Sequence, residues 1–210
     1  GKFKKSAFEV TSYGKKVAEQ LETNLVVLAI NSSAPTLLYT YGAEKILNVS
    51  NEALKTFNAK IYANIVKQAA EKEGSEVVII DSNTNGLYLA PNVAINLNAG
   101  YTSNVVTLPS AISPFTVKRK AFSNKAFNNT QITSAIKVIG LAKNSYGLHE
   151  NKVSGSVEDF SPSIIESRLS STAIEQTTGK VTIADADIVV SGGRGLKGPE
   201  NWGMIEELAE

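Results

Sequence analysis

Helical and strand-like segments alternate along the 210 residues. That alternation defines an α/β chain in three layers, with helices on both faces of a mainly parallel sheet. Two apolar runs carry the reading: Leu25-Val26-Val27-Leu28-Ala29-Ile30, and Val77-Val78-Ile79-Ile80 closed by Asp81. A strand covered by helices on both faces reads this way, without the polar alternation of a half-solvated sheet. The third observation is a change of style after residue 103, where short β-prone runs joined by turn residues append a β-hairpin.

The elements follow in order. Val10, Tyr13, Val17 and Leu21 fall three or four apart and form one stripe of an amphipathic helix over residues 6–22. The strand at 25–30 leads to a short helix over 34–41 and a strand over 45–49. Leu54, Phe57, Ile61, Ile65 and Ala69 repeat the helical stripe, with Ser50 or Asn51 as the N-cap whose side-chain oxygen accepts a free first-turn N–H. Gly74 ends that helix, because glycine enters the left-handed conformation cheaply. After the strand at 77–81, a helix from 86 to 98 turns Leu87, Ala90, Ala94 and Leu97 inward, and Pro91 must lie in its first turn or kink it. Val105–Leu108 and Phe115–Arg119 read as strands, and an Asn-rich turn (Asn124, Asn128, Asn129) leads into Thr133–Leu141. Residues 143–160 read as a polar connection and Ile164–Ile174 as one more strand.

The α/β alternation restarts near residue 185. Asp185–Val190 reads as a turn into a buried strand, Ser191–Gly198 as a glycine-rich loop, and Pro199 as the N1 residue of a helix with Glu200 in its first turn. The chain therefore divides into a first domain over 1–184 and the incomplete start of a second α/β domain over 185–210. It opens Gly-Lys-Phe-Lys-Lys without Met and closes on a helical stretch with no stop signal, which reads as a fragment.

Composition narrows the chemistry. A hydrophobic fraction of 42% excludes wholesale disorder. No cysteine means no disulfide, thiolate metal site or cysteine nucleophile, and the single histidine, His149, excludes a multi-histidine site in this chain. A net charge of +1 argues against nucleic acid or anionic membrane as the main partner, and no apolar run approaches the length of a membrane span.

The loop at 191–198 is the strongest candidate site. Its glycines allow a sharp turn and close approach to a ligand, and the helix beyond offers free N–H groups to phosphate. Arg194 adds a permanently charged donor fork that grips phosphate or lies over a flat ring. Gly193, Gly195 and Gly198 satisfy the letter of G-x-G-x-x-G, but the acidic residue that completes that fingerprint would fall beyond Glu210. The bland reading is a tight turn with a solvent-facing arginine. His149 reads as a surface residue, and no G-x-S-x-G elbow recruits it. Asp185 and Asp187 read as turn or capping residues before an acid–base pair. Lys118-Arg119-Lys120 reads as a solvated hairpin edge before a nucleic-acid contact. Trp202 either packs or flanks a cofactor.

Asp185-Ala186-Asp187-Ile188-Val189-Val190-Ser191-Gly192-Gly193-Arg194-Gly195-Leu196-Lys197-Gly198-Pro199-Glu200-Asn201-Trp202 resembles the signature that opens the FAD domain of electron transfer flavoprotein alpha subunits. Gly86–Ala94 resembles that family's helix after the central strand. Lys118–Ala126 resembles its hairpin, with Ser123-Asn124 in place of two glycines. Lys143-Asn144-Ser145 departs from the family's Arg-Pro-Gly.

The resemblance implies a Rossmann-like first domain, and a family chain that begins with a hydrophobic strand just before Gly1 and continues past Glu210. It implies FAD bound in the full-length heterodimer and absent from the fragment alone, with Arg194, Gly193 and Gly195 at an incomplete FAD site, and AMP in the beta subunit only. The implied partners are that beta subunit, flavoprotein dehydrogenases and a membrane quinone oxidoreductase, with no nucleic acid and no membrane insertion. The implied role is electron carriage without a catalytic acid, base or nucleophile, in a bacterial cytoplasm or a mitochondrial matrix. The alternative is a stand-alone nucleotide-binding regulatory α/β module that uses the glycine-rich loop.

Overall fold

The apolar stripe of the first helix turns toward a sheet, as its spacing requires. In a computed structural model, which describes residues 1–169, 171–173, 183, 186 and 188–210, the chain forms two compact units, Gly1–Ser170 and Ser171–Glu210. The first unit runs α1 (Lys5–Gln20), β1 (Val26–Ile30), β2 (Lys45–Val49), α2 (Ala59–Glu73), β3 (Val77–Asp81), α3 (Thr84–Asn96), β4 (Gly100–Val105), β5 (Ala111–Ile112), β6 (Phe115–Ala121), β7 (Ala126–Ile132), β8 (Lys137–Leu141) and β9 (Ser156–Asp159). A 3₁₀ turn over Pro35–Tyr41 takes the place of the short helix expected between β1 and β2.

The α/β class and the mainly parallel pairing hold, but the sheet comes in two pieces. One has the order β1-β2-β9, all parallel. The other has the order β3-β8-β4-β6-β5 with β7 on β6; β3, β8 and β4 are parallel, and the β6 pairings are antiparallel. Among the described residues no ladder joins β1 to β3. Both strands line one cavity of about 580 Å³, which Val10 and Gly14 of α1 and Val66 and Ala69 of α2 also line. This explains a difference from the sequence reading: β3 is half-buried at all five positions, although its composition is that of a fully buried strand.

Packing follows the three-layer plan. Tyr13 and Val17 of α1 join Val105, Phe115, Val117, Ile139 and Leu141 in one core cluster. Ala63 and Ala70 of α2 join Ala90, Val93 and Ala94 of α3 and Val138 of β8 in another. Small residues dominate this second cluster, so α2 and α3 approach closely over the sheet. Gly86 lets α3 start against the end of β3, since a Cβ there would lie 1.6 Å from the Asp81 carbonyl oxygen.

Several local readings change. Asn58, not Ser50 or Asn51, caps α2, accepting from the N–H groups of Lys60 and Ile61 at 3.1 and 3.2 Å. Asn51 instead caps a separate 3₁₀ turn over Glu52–Leu54. Gly74 ends α2 in the left-handed region at φ 64°, as expected. α3 starts earlier, capped by Asn83, so Pro91 sits in its interior, and Leu87 is exposed while Val93 is buried. The fourth strand is Gly100–Val105, with 106–108 beyond it. Asn128 and Asn129 belong to β7, and the hairpin turns at Phe122, Ser123 and Asn124, all at positive φ.

Two readings of the later chain change as well. β9 lies inside the stretch read as a connection, because parallel pairing to β2 supplies what its polar sequence does not signal. Residues 164–169 form no strand; 170 and 174 lie outside the described residues, as do Asp185, Asp187 and the expected boundary at 184. Ile188–Val190 carry no strand, and the Ile188 side chain is 85% exposed.

Buried Glu9 ties α1 to the loop after β8. Its carboxylate accepts the N–H groups of Asn144, Tyr146 and Gly147 at 2.8–2.9 Å. Ser12 Oγ donates to the carbonyl of His149 and accepts its N–H, and the Tyr13 hydroxyl donates to the Thr107 carbonyl. Glu9→Ala removes three hydrogen bonds between α1 and the loop and should cost about 2–4 kcal/mol, at a net ~0.5–1.5 kcal/mol each; urea unfolding reads this directly, and a loss near zero would remove Glu9 from this role.

At the other end of α2, Lys45 pairs with Glu73 and Glu158, and Lys72 pairs with Glu158. Hydrogen bonds from Lys72 and then Lys45 hold Glu158 below its usual carboxylate range, while those that Lys45 donates to Glu73 and then to Glu158 raise it above the usual lysine value. A depressed carboxylate stabilises the fold above its unfolded pKa and loses that contribution as pH falls through its folded one. A raised lysine loses its contribution only in alkali. Melting temperature should therefore fall on acidification through the carboxylate range, and Glu158→Gln should flatten that fall; an unchanged acid limb would count against the network.

Candidate functional site

Within the second unit the glycine-rich segment forms two successive 3₁₀ turns rather than one loop feeding a helix. Gly193 is extended and precedes the turn Arg194–Leu196, and Gly198 is extended before the turn Pro199–Asn201. Pro199 opens the second turn as expected, but the α-helix, α4 (Gly203–Ala209), begins further on and is seven residues long. No helix N-terminus therefore opens directly on the glycines. Asn201 fastens the two turns by donating its side-chain N–H to the Leu196 carbonyl at 2.9 Å. Lys197 takes a positive φ of 62° at the joint.

The three expected site residues are adjacent and open to solvent. A Cβ at Gly193 or Gly195 would meet nothing within 4 Å. Arg194 lies between them, exposed, and its guanidinium makes no hydrogen bond or ion pair with a described residue. The crowded glycine lies one position earlier: at Gly192 a Cβ would stand 2.1 Å from Leu196 Cδ1 and 2.3 Å from Ile205 Cδ1, so those two side-chain ends would have to shift. A free, permanently charged fork beside two uncrowded glycines suits a flat anionic ligand. These residues fit one side of a flavin or phosphate site. Trp202, half-exposed, is available on the same unit.

A second concavity, which sequence reading missed, lies beyond the carboxyl ends of β1 and β2. Gly1, Ser32, Ser33, Ser50, Asn51 and Lys55 help to line about 680 Å³ there. Asn31 and Asn51 brace it reciprocally: the Asn31 side chain donates to the Asn51 carbonyl and accepts the Asn51 N–H, both at 2.9 Å. Ligands of open α/β sheets sit at such strand ends. Its sequence signal is the pair of polar clusters that directly follow the strands at 26–30 and 45–49.

The remaining candidates resolve simply. His149 is exposed and rests against Tyr146 with ring centroids 4.8 Å apart. No group of His, Asp or Glu side chains among the described residues could hold a metal ion. Lys118-Arg119-Lys120 lies on β6, where Arg119 Nε donates to the Ser103 carbonyl and Lys118 Nζ lies 4.6 Å from the Phe127 ring centre.

A parallel α/β unit with an appended hairpin, followed in the chain by a glycine-rich turn that carries an exposed arginine, defines an open-sheet α/β protein. Residues 1–164 match the electron transfer flavoprotein domain, and the chain belongs to that family. It is 28% identical over 215 residues to the electron transfer flavoprotein subunit alpha of Bacillus subtilis, covering all of this chain and 66% of that relative. It is 24% identical over 229 residues to the protein FixB of Bradyrhizobium diazoefficiens, covering 97% of this chain and 59% of that one. A probable mitochondrial electron transfer flavoprotein subunit alpha of Caenorhabditis elegans is 26% identical over 193 residues, with 90% and 57% covered. The chain thus spans about two thirds or less of the length of these relatives.

The open setting of Gly193 and Gly195 makes a sharp contrast with Gly86. Gly193→Ala and Gly195→Ala should leave the unfolding free energy within about 0.5 kcal/mol of the parent, as for surface changes. Gly86→Ala should cost several-fold more or abolish folding. A large loss at 193 or 195 would make those glycines structural and free of any ligand role.

Proposed function

We propose that this chain is the alpha-subunit portion of a two-subunit, FAD-containing electron carrier, with residues 1–184 as the scaffold domain and 185–210 as the opening of the FAD domain. The likeness to named alpha subunits along the whole chain supports this reading, and one observation carries the site: a solvent-facing Arg194 that pairs with no described residue, between two uncrowded glycines. When bound, the flavin supplies the redox chemistry. The residues of this chain contribute position and charge. Gly193 and Gly195 leave the backbone accessible to a flat ligand. Arg194 presents a fixed positive charge that favours negative charge beside it and tunes the potential in that direction.

The beta subunit completes the assembly and holds AMP. Electrons arrive from flavoprotein dehydrogenases, including those acting on acyl-CoA, and leave to a membrane quinone oxidoreductase, in a bacterial cytoplasm or a mitochondrial matrix. Among the described residues no helix is long and apolar enough to cross a membrane.

The test is to produce the complete gene product that carries these residues together with its beta subunit and to record the visible spectrum. Flavin absorption bands are expected, and a colourless heterodimer would overturn the reading. Arg194→Ala should weaken flavin retention about tenfold or more, the range expected for one charge-assisted hydrogen bond of ~1.5–3 kcal/mol. The 210 residues alone should purify colourless.

A further inference from the structure

Charge is segregated along this chain in a way that its balanced total conceals. Between Asp81 and Glu150 there is no acidic residue, whereas Lys118, Arg119, Lys120, Lys125, Lys137 and Lys143 all fall there. All 20 Asp and Glu residues lie outside that stretch. At its centre stands the hairpin β6–β7, paired over seven positions from Phe115↔Ile132 to Ala121↔Ala126. The other edge of β6 is taken by β4 and β5. β7 pairs with β6 alone among the described residues, so its outer edge presents unpaired backbone N–H and C=O groups.

Exposed edges are ordinarily blunted by charge, proline, a bulge or brevity. β7 has none of these. Its seven residues, Ala126-Phe127-Asn128-Asn129-Thr130-Gln131-Ile132, include no charge and no proline, and their ladder is regular. The cations sit one strand in: Lys118 is opposite Asn129 and Lys120 is opposite Phe127. Phe122 and Phe127 are 80% and 61% exposed, and Lys118, Lys120 and Lys125 make no ion pair with a described residue.

We propose that β7 takes an extended acidic segment of a partner protein as an added strand. An open edge needs alternating backbone donors and acceptors, which another polypeptide supplies and neither a nucleic acid nor a lipid surface does. The acid-free lysines beside it select acidic over basic segments, and the Phe127 ring offers apolar contact to alternate side chains. The inference stands apart from the flavin reading, because it uses neither the second unit nor a cofactor.

The test uses the 210-residue chain and a fluorescein-labelled peptide of roughly eight residues, about one strand long, in which Glu or Asp alternates with Val. Anisotropy should show saturable binding that weakens with salt, and amide exchange should slow along 126–132. The same peptide with Lys in place of the acids, a single-stranded oligonucleotide and phosphatidylglycerol vesicles should bind at least tenfold more weakly. Lys118→Glu with Lys120→Glu, both on the strand beside the edge, should weaken acidic-peptide binding at least tenfold without changing the circular dichroism spectrum. Asn128→Pro and Asn129→Pro probe the edge itself, and one of the two should remove an outward N–H and the binding with it. No binding of the acidic peptide, equal or tighter binding of the oligonucleotide or vesicles, indifference to the charge reversal, or unprotected β7 amides would each overturn the proposal.

Discussion

Three backbone N–H groups of the loop after β8 converge on the buried carboxylate of Glu9. A buried carboxylate is costly unless donors meet it, so this loop and α1 hold each other in place. The rest of the first unit depends on that seat. With the loop held, Tyr13 and Val17 face the strands β4, β6 and β8, the Tyr13 hydroxyl reaches Thr107, and one face of the larger sheet is closed. The opposite face is closed by α2 and α3 through alanine and valine, which works only because Gly86 lets α3 start against the end of β3.

The periodic part of this architecture was legible in the sequence. Steps of three and four placed α1, and the apolar runs placed β1 and β3, because burial of one face or of both leaves a direct mark on residue order. What escaped depends on partners distant in the chain. β9 is polar and becomes a strand only through pairing with β2. Asn128 and Asn129 look like turn residues, yet the pairing with β6 extends through them. Asn51 and Asn58 are both good caps by composition, and the 3₁₀ turn over Glu52–Leu54 decides which one opens α2.

At the candidate site the residue types were legible and their division of labour was not. Gly193, Arg194 and Gly195 stand out by composition and lie together in the open. The crowded glycine is Gly192, which only contacts with Leu196 and Ile205 reveal. The helix expected to aim its N-terminus at the glycines is displaced by a second 3₁₀ turn, so positive charge at this site comes from a side chain instead of a helix end. The crevice beyond β1 and β2 has the reverse character, a place that topology marks and no motif announces.

The break between β1 and β3 also bears on how the two pieces of the sheet are held together. Backbone hydrogen bonds make a sheet cooperative, since each strand's pairing supports the next, and that chain of support stops at the cavity. Across it, β1-β2-β9 and β3-β8-β4-β6-β5 with β7 face each other over side chains of α1 and α2, which line the cavity between them and do there by packing what a ladder does elsewhere in the sheet.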